Sequence, residues 1–112
     1  MARGRPATRL LIFLSEDDRV GHREVAELLL ERAHERGLAG ATVWRGIEGF
    51  GATGYLRATR LPDLARGLPL VVEVIDDEAA VDAFLPVVRE LARGALVTTE
   101  AVMVTPADAP SA

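Results

Sequence analysis

The residues whose types and spacing best suggest chemistry are the glycines of GFGATG, residues 49–54. They fit the pattern G-x-G-x-x-G, a turn in which backbone N–H groups meet the pyrophosphate of a dinucleotide. That turn needs a strand before it, a helix after it and an acidic residue about 20 positions further on. An apolar run does precede the glycines, and Asp76 closes a later apolar run.

The segment that follows these glycines argues against a dinucleotide site. Pro62, Gly67 and Pro69 would break a crossover helix early. The chain has 112 residues, which is short for a fold built from two βαβαβ halves. We therefore interpret the stretch as a flexible glycine-rich loop and keep the dinucleotide turn as the alternative.

Other groups that could do chemistry are sparse. His22 and His34 are predicted to lie at opposite ends of one helix. The acidic pairs 17–18 and 76–77 are typical of a turn and of a helix N-terminus, so they are weak candidates for a cation site. No histidine is placed to activate Ser15 as a nucleophile. We predict no catalytic residue and no bound metal, and hence a protein that is not an enzyme.

Composition narrows the class of protein. Hydrophobic residues make up 49% of the chain, charged residues 27%, and the formal net charge is −4. An acidic chain without a basic cluster is not expected to bind nucleic acid. Cysteine is absent, and no apolar run approaches the roughly 18 residues of a membrane span. The apolar run LLIFL is too short for a signal peptide, so we predict a cytoplasmic protein without membrane insertion.

Hydrophobic periodicity predicts six elements in one domain, residues 9–105, with flexible tails at 1–8 and 106–112. Strands are predicted at 10–14, 41–47, 70–75 and 97–105, with one helix at 21–36 that ends at Gly37 and a second that Asp76 or Asp77 caps and Gly94 closes. Pro86 lies inside the second helix and should kink it at a cost of about 3 kcal/mol.

The element order predicts an α+β fold, the ferredoxin-like βαββαβ sandwich. Its two helices cover one face of the sheet, yet LLIFL and LPLVVEVI are apolar at nearly every position, as in strands buried on both faces. Another subunit is the simplest cover for the second face. Glu73 interrupts the third strand, and we expect it to pair with an arginine of a neighbouring subunit or, alternatively, to mark a partly wet face.

The run RGLAGATVWRGIEGFGATG, followed by LPLVVEVIDDEAAVDAFLPVV, resembles the domain-of-unknown-function 190 family, a branch of the nitrogen-regulatory PII-like superfamily. The opening SEDDRVGHREVAELLLERA is similar to the first helix of that family, so the resemblance covers about residues 10–104. It implies a homotrimer of ferredoxin-like protomers, each with a long mobile loop at residues 46–67. In better-known relatives the root of this loop lines a cleft between subunits that holds an adenine nucleotide.

The same resemblance implies which residues would bind the ligand. Thr42 matches a position near the adenine, and Ile75 matches an apolar position against the base. Gly49, Phe50 and Gly51 match the loop root that wraps the phosphates. No cofactor is required, and an adenine nucleotide is the implied ligand.

The loop also brings arginines near the implied phosphate site. Arg45, Arg57 and Arg60 could neutralise phosphate charge or could simply form a solvated surface. Arg57 and Arg60 are the residues expected to contact a protein partner, a transporter or an enzyme. Nucleotide-binding relatives have a second glycine-rich, lysine-containing loop before the last strand, whereas this chain has only RGALVTTE there.

Two functions of different classes follow from the sequence. The first is a PII-like signalling protein that binds a small anionic metabolite between subunits and acts on a partner through the loop. The second is a small metal-binding or enzymatic trimer on the same fold, since a fold does not determine a function.

Overall fold

The computed structural model describes residues 4–50, 57–58 and 67–106. The elements are β1 (Arg5–Ser15), β2 (Arg19–Val20), β3 (Arg23–Glu24), α1 (Val25–Glu35), β4 (Ala41–Arg45), β5 (Glu48–Gly49), β6 (Arg57–Ala58), β7 (Pro69–Asp76), α2 (Glu78–Leu91) and β8 (Leu96–Val104). The four long strands and two helices follow the predicted order, and three short additions lie between them: the β2–β3 hairpin, β5 and β6.

The main sheet has the strand order β4-β7-β1-β8, and every neighbouring pair is antiparallel. Ile12 on β1 lies opposite Val72 on β7 and Val97 on β8, and Val43 on β4 also lies opposite Val72. With two helices packed on one face, this is the ferredoxin-like arrangement that the sequence predicts.

The hydrophobic core lies between the sheet and the two helices. Alternate residues of a strand point to the same face, so one set from each central strand meets the helices. The largest buried contributors are Leu10, Ile12, Leu70, Val72 and Val74 from the sheet, Leu29 from α1, and Val81, Phe84 and Val88 from α2. The buried residues recur at a spacing of three or four, as Val25, Leu29 and Ala33 do in α1 and Val81, Phe84 and Val88 do in α2, so each helix has one apolar side.

Two predicted boundaries near the N-terminus are wrong. β1 begins at Arg5 rather than at residue 10, and residues 5–8, predicted as part of a tail, pair with residues 101–104 of β8. This stretch is not a continuous apolar run, so only its pairing with β8 identifies it as a strand. α1 begins at Val25 rather than at residue 21, because residues 19–24 form the β2–β3 hairpin.

The ends of the helices agree better with the sequence. α1 is followed by Arg36 and then by Gly37 at φ +73°, the left-handed residue expected after a helix. Asp77 is the N-cap of α2, but its side chain makes no capping hydrogen bond. Instead its carboxylate forms an ion pair with Arg5 at 2.6 Å, which ties the start of β1 to the start of α2. Pro86 lies inside α2, as predicted.

Among the residues that the structure describes, no helix is long and apolar enough to cross a membrane.

Candidate functional site

The face of the sheet that points away from the helices, here called the outer face, is not covered by any described element of the chain. The strand register places these residues on it: Ala7, Arg9, Leu11 and Phe13; Thr42 and Trp44; Val71, Glu73 and Ile75; Leu96, Thr98, Glu100 and Val102. Several are large, apolar and exposed, with Trp44 58% and Leu96 63% accessible. The outward residues of β1 and β7 are largely apolar, as the sequence predicts, while Phe13 and Ile75 are more than a third exposed in the single chain, so the burial of both faces stays a prediction.

A polar network crosses the middle of the outer face. The guanidinium of Arg9 lies 2.7 Å from the carboxylate of Glu100 on β8 and 3.6 Å from that of Glu73 on β7. Trp44 on β4 donates from its indole Nε1 to Glu73 Oε1 at 3.1 Å. The network therefore links all four strands. Within one chain Arg9 is the arginine that lies beside Glu73, and a second arginine from a neighbouring subunit stays a prediction.

The loop root begins where β4 ends. The backbone N–H of Gly46 donates to the carbonyl of Pro69 at 2.7 Å, and a Cβ on Gly46 would lie 2.6 Å from Pro69 Cγ. Further on, Gly49 lies opposite Arg57 in the short β5–β6 pair. Phe50 is exposed. The root is thus a short antiparallel ribbon packed beside the first residue of β7.

Glu16, which follows β1, contacts both chain segments that lead into and out of this loop. Its backbone N–H donates to the carbonyl of Leu68 at 3.0 Å, and its Oε1 accepts from the N–H of Leu68 at 3.0 Å. Its other oxygen, Oε2, lies 3.0 Å from Arg45 Nη2. In the sequence nothing distinguishes Glu16 from the acidic pair 17–18 that follows it.

The predicted site residues divide into two groups within one chain. Thr42 lies opposite Glu73 on the outer face, and Ile75 is the next residue of β7 on that face. Arg45 and the root glycines lie at the other end of β4, three residues and therefore about 10 Å further along the strand. One protomer does not bring the two groups together.

Some predicted residues fall outside the described part of the chain. Gly51 and Arg60 belong to this group, and only the backbone of Arg57 is described. Their predicted roles stay predictions.

Two hollows occur on the helical side of the molecule. One, of about 260 Å³, is lined by residues that include His34 and Leu38, and the other, of about 380 Å³, by residues that include Arg19 and Arg93. Neither is lined by the residues predicted to hold a nucleotide. Within residues 4–50 and 67–106, no three histidine or acidic side chains come together as metal ligands.

The connection between α2 and β8 is a tight turn over residues 92–95. The N–H of Ala95 donates to the carbonyl of Ala92 at 3.1 Å, and Gly94 has φ +79°. The shortness expected from RGALVTTE is confirmed, so this turn contributes no second phosphate-binding loop of the kind described for nucleotide-binding relatives.

Sequence comparison assigns the chain to a family. Residues 7–104 match the model of DUF190, which is described only as an uncharacterized conserved family. The chain belongs to the DUF190 family. A relative from Aquifex aeolicus (strain VF5), named UPF0166 protein, is 45% identical over 95 residues, which cover 85% of this chain and 90% of that protein.

Solved structures share the fold. A PII-like protein from Thermus thermophilus matches with a TM-score of 0.68 at 20% identity, covering 92% of this chain and 93% of that one. CPII from Thiomonas intermedia K12, a nitrogen regulatory PII-like protein solved with ADP, AMP and bicarbonate, matches with a TM-score of 0.62 at 20% identity, covering 94% and 99% of the two chains. The DUF190 chain therefore has the fold of PII-like proteins.

Proposed function

We propose that this DUF190 protein is a PII-like regulator that assembles as a homotrimer through its outer face and binds an adenine nucleotide, or a similar anionic metabolite, between protomers. The ligand lies at the loop root, and residues 46–67 pass the signal to a protein partner, a transporter or an enzyme. The protein binds its ligand without converting it to a product.

The observation that carries the proposal is the continuity of the outer face with the loop root. Trp44 is the last residue of β4 that points to the outer face, and Arg45 and Gly46 follow it directly. A second protomer that covers Trp44 must therefore reach the loop root as well. The cleft between the two protomers would then be lined by the apolar side chains of the outer face and bordered at one end by the loop root; the side chain of Arg45, which leaves β4 on the opposite face, would enter it around the end of the strand.

The chemistry of the root suits an anion. Arg45 offers a planar guanidinium that is 61% exposed, and arginine recognises phosphate oxygens through several N–H donors at once. Thr42 and Ile75 lie on the outer face, where an adenine could rest against an apolar surface. The similarity in fold to CPII, which was solved with ADP and AMP, supports a nucleotide as the ligand.

Calorimetry with AMP, ADP, ATP and cyclic nucleotides tests the proposal. We expect at least one of them to bind with a dissociation constant below about 1 mM, which corresponds to roughly −4 kcal/mol. Arg45→Gln should weaken that binding, whereas Arg32→Gln, which removes an exposed arginine from α1, should not. If no nucleotide binds in this range, the protein is better described as a scaffold whose loop meets its partner without a nucleotide.

A further inference from the structure

Glu16 closes the neck of the loop, defined here as residues 45–46 together with residues 67–69. One carboxylate oxygen accepts the N–H of Leu68 on the returning leg, and the other pairs with Arg45 on the outgoing leg. The backbone of Glu16 also donates to Leu68, and Gly46 donates to Pro69. The two legs are therefore joined by backbone hydrogen bonds and by one shared carboxylate.

The two contacts of this carboxylate differ in how open they are to water. The side chain of Glu16 is only 19% exposed, whereas that of Arg45 is 61% exposed. Arginine has five N–H donors, and the structure uses Nη2 for Glu16. An anion arriving from solvent can therefore reach the guanidinium of Arg45, but it does not need to displace the bond between Glu16 and the N–H of Leu68.

We propose that Glu16 is a positioning residue that competes with the anionic ligand for Arg45. In the free protein Glu16 neutralises Arg45 and holds the outgoing leg at the neck. A bound anion takes over the guanidinium, so the outgoing leg is freed from the carboxylate while the returning leg stays bonded to it. The identity of the ligand rests on the proposed function, but the competition applies to any anion at Arg45.

Competition has a consequence that can be measured. The Glu16 carboxylate and the anion both carry negative charge and share one guanidinium, so removing the Glu16 charge should strengthen anion binding, and by linkage a bound anion weakens the Glu16–Arg45 pair by the same factor. Exposed ion pairs contribute little, so the expected factor is about two- to fivefold at low salt. The gain should shrink as salt screens the pair.

Glu16→Gln is the sharpest variant, because the amide oxygen can still accept from Leu68 while the negative charge is gone. We expect ADP to bind this variant about two- to fivefold more tightly than wild type in calorimetry. In an Arg45→Gln background the same substitution should give no gain, which a purely structural role for Glu16 would not explain. Glu31→Gln is the matched control: Glu31 pairs with Arg23 at 2.6 Å, a contact that lowers the pKa of the Glu31 carboxyl, and its loss should leave ADP affinity unchanged.

A second measurement compares the wild-type protein with two Glu16 variants and does not depend on a nucleotide. Titration with inorganic pyrophosphate, followed by nitrogen NMR, should shift the side-chain resonances of Arg45 while the amide of Leu68 remains protected from exchange. Glu16→Ala should lose that protection, and Glu16→Gln should keep it.

The outcomes separate this inference from the proposed function. If wild type binds pyrophosphate at Arg45 but no nucleotide, and Glu16→Gln improves pyrophosphate binding, the competition stands and the nucleotide proposal fails. If ADP binds wild type and Glu16→Gln equally, or if the gain persists without Arg45, the competition is wrong. Failure of both ADP and pyrophosphate to affect Arg45 also overturns it.

Discussion

At the scale of single residues, Gly46 and Gly49 of the loop root are needed for close packing rather than for an unusual backbone angle. Gly37 and Gly94 have positive φ, whereas Gly46 and Gly49 do not. A Cβ on Gly46 would lie 2.6 Å from the ring of Pro69, and one on Gly49 would lie 3.3 Å from it. The glycines let the start of the loop pass directly over the first residue of β7.

Gly46→Ala should therefore destabilise the protein. The added methyl group meets a rigid proline ring and must push apart the bond between Gly46 and the carbonyl of Pro69, so we expect a loss of about 1–3 kcal/mol in the free energy of unfolding. Urea denaturation measures it. Gly40→Ala is the control, because a Cβ there meets no atom within 4 Å, and it should change stability by less than about 0.5 kcal/mol. Equal stability of both variants would show that the neck adapts without cost.

At the scale of elements, α2 shows packing outweighing local propensity. Pro86 in its interior costs about 3 kcal/mol in a helix. On the opposite side Val81, Phe84 and Val88 are almost completely buried against the sheet. Each such side chain contributes about 1.5–3 kcal/mol by burial, so the three together exceed the cost of the proline. The helix persists because its apolar face is covered.

Replacing Pro86 should raise stability. Because Pro86 is exposed, Pro86→Ala removes no core contact, restores a helical N–H and should add up to about 3 kcal/mol to the free energy of unfolding. Pro86→Gly should give a smaller gain, lower by about 1 kcal/mol, since glycine is a weaker helix former. Thermal unfolding of wild type, Pro86→Ala and Pro86→Gly should show that the alanine variant is the most stable and wild type the least. If the alanine variant were less stable than wild type, the pyrrolidine ring of Pro86 would be making stabilising contacts that alanine loses.

At the scale of the whole molecule, the outer face combines exposed apolar side chains with a charged cluster in which one arginine lies between two carboxylates. Phe13, Trp44 and Leu96 are exposed, while Arg9 is bound by Glu73 and Glu100. A charge that is paired before association costs less to cover than a free one, since its partner is already in place. The face is thus suited to contact another copy of the chain.

Light scattering should find three protomers per particle at micromolar concentration. Phe13→Asp, which places a charge on the outer face, should reduce the particle to a monomer. Val20→Asp is the control: Val20 has a similar exposure, 47% against 39% for Phe13, but lies on the β2–β3 hairpin. A wild-type monomer would contradict the assembly, and a trimer that survives Phe13→Asp would show that another surface holds it together.

The sequence alone was enough for the fold class and the order of the main elements. Helical spacing revealed the buried stripe of α1 and the glycine that follows it, and the doubly apolar strands revealed an exposed second face. These features are local, because burial imposes a period of about 3.6 or 2 on neighbouring residues wherever the chain packs. The same local signals did not detect the β2–β3 hairpin, whose strands are two residues each.

Only the tertiary structure decided which distant residues meet. The first residues of β1 became a strand through pairing with β8, and Glu73 found its arginine on β1 of the same chain. Glu16 reaches Leu68 across 52 positions, and no pattern in the sequence relates the two. The predicted ligand residues stay predictions, since one protomer separates them along β4. Contacts of this kind depend on which strands become neighbours and in what register they pair, and both are determined only when the whole sheet forms.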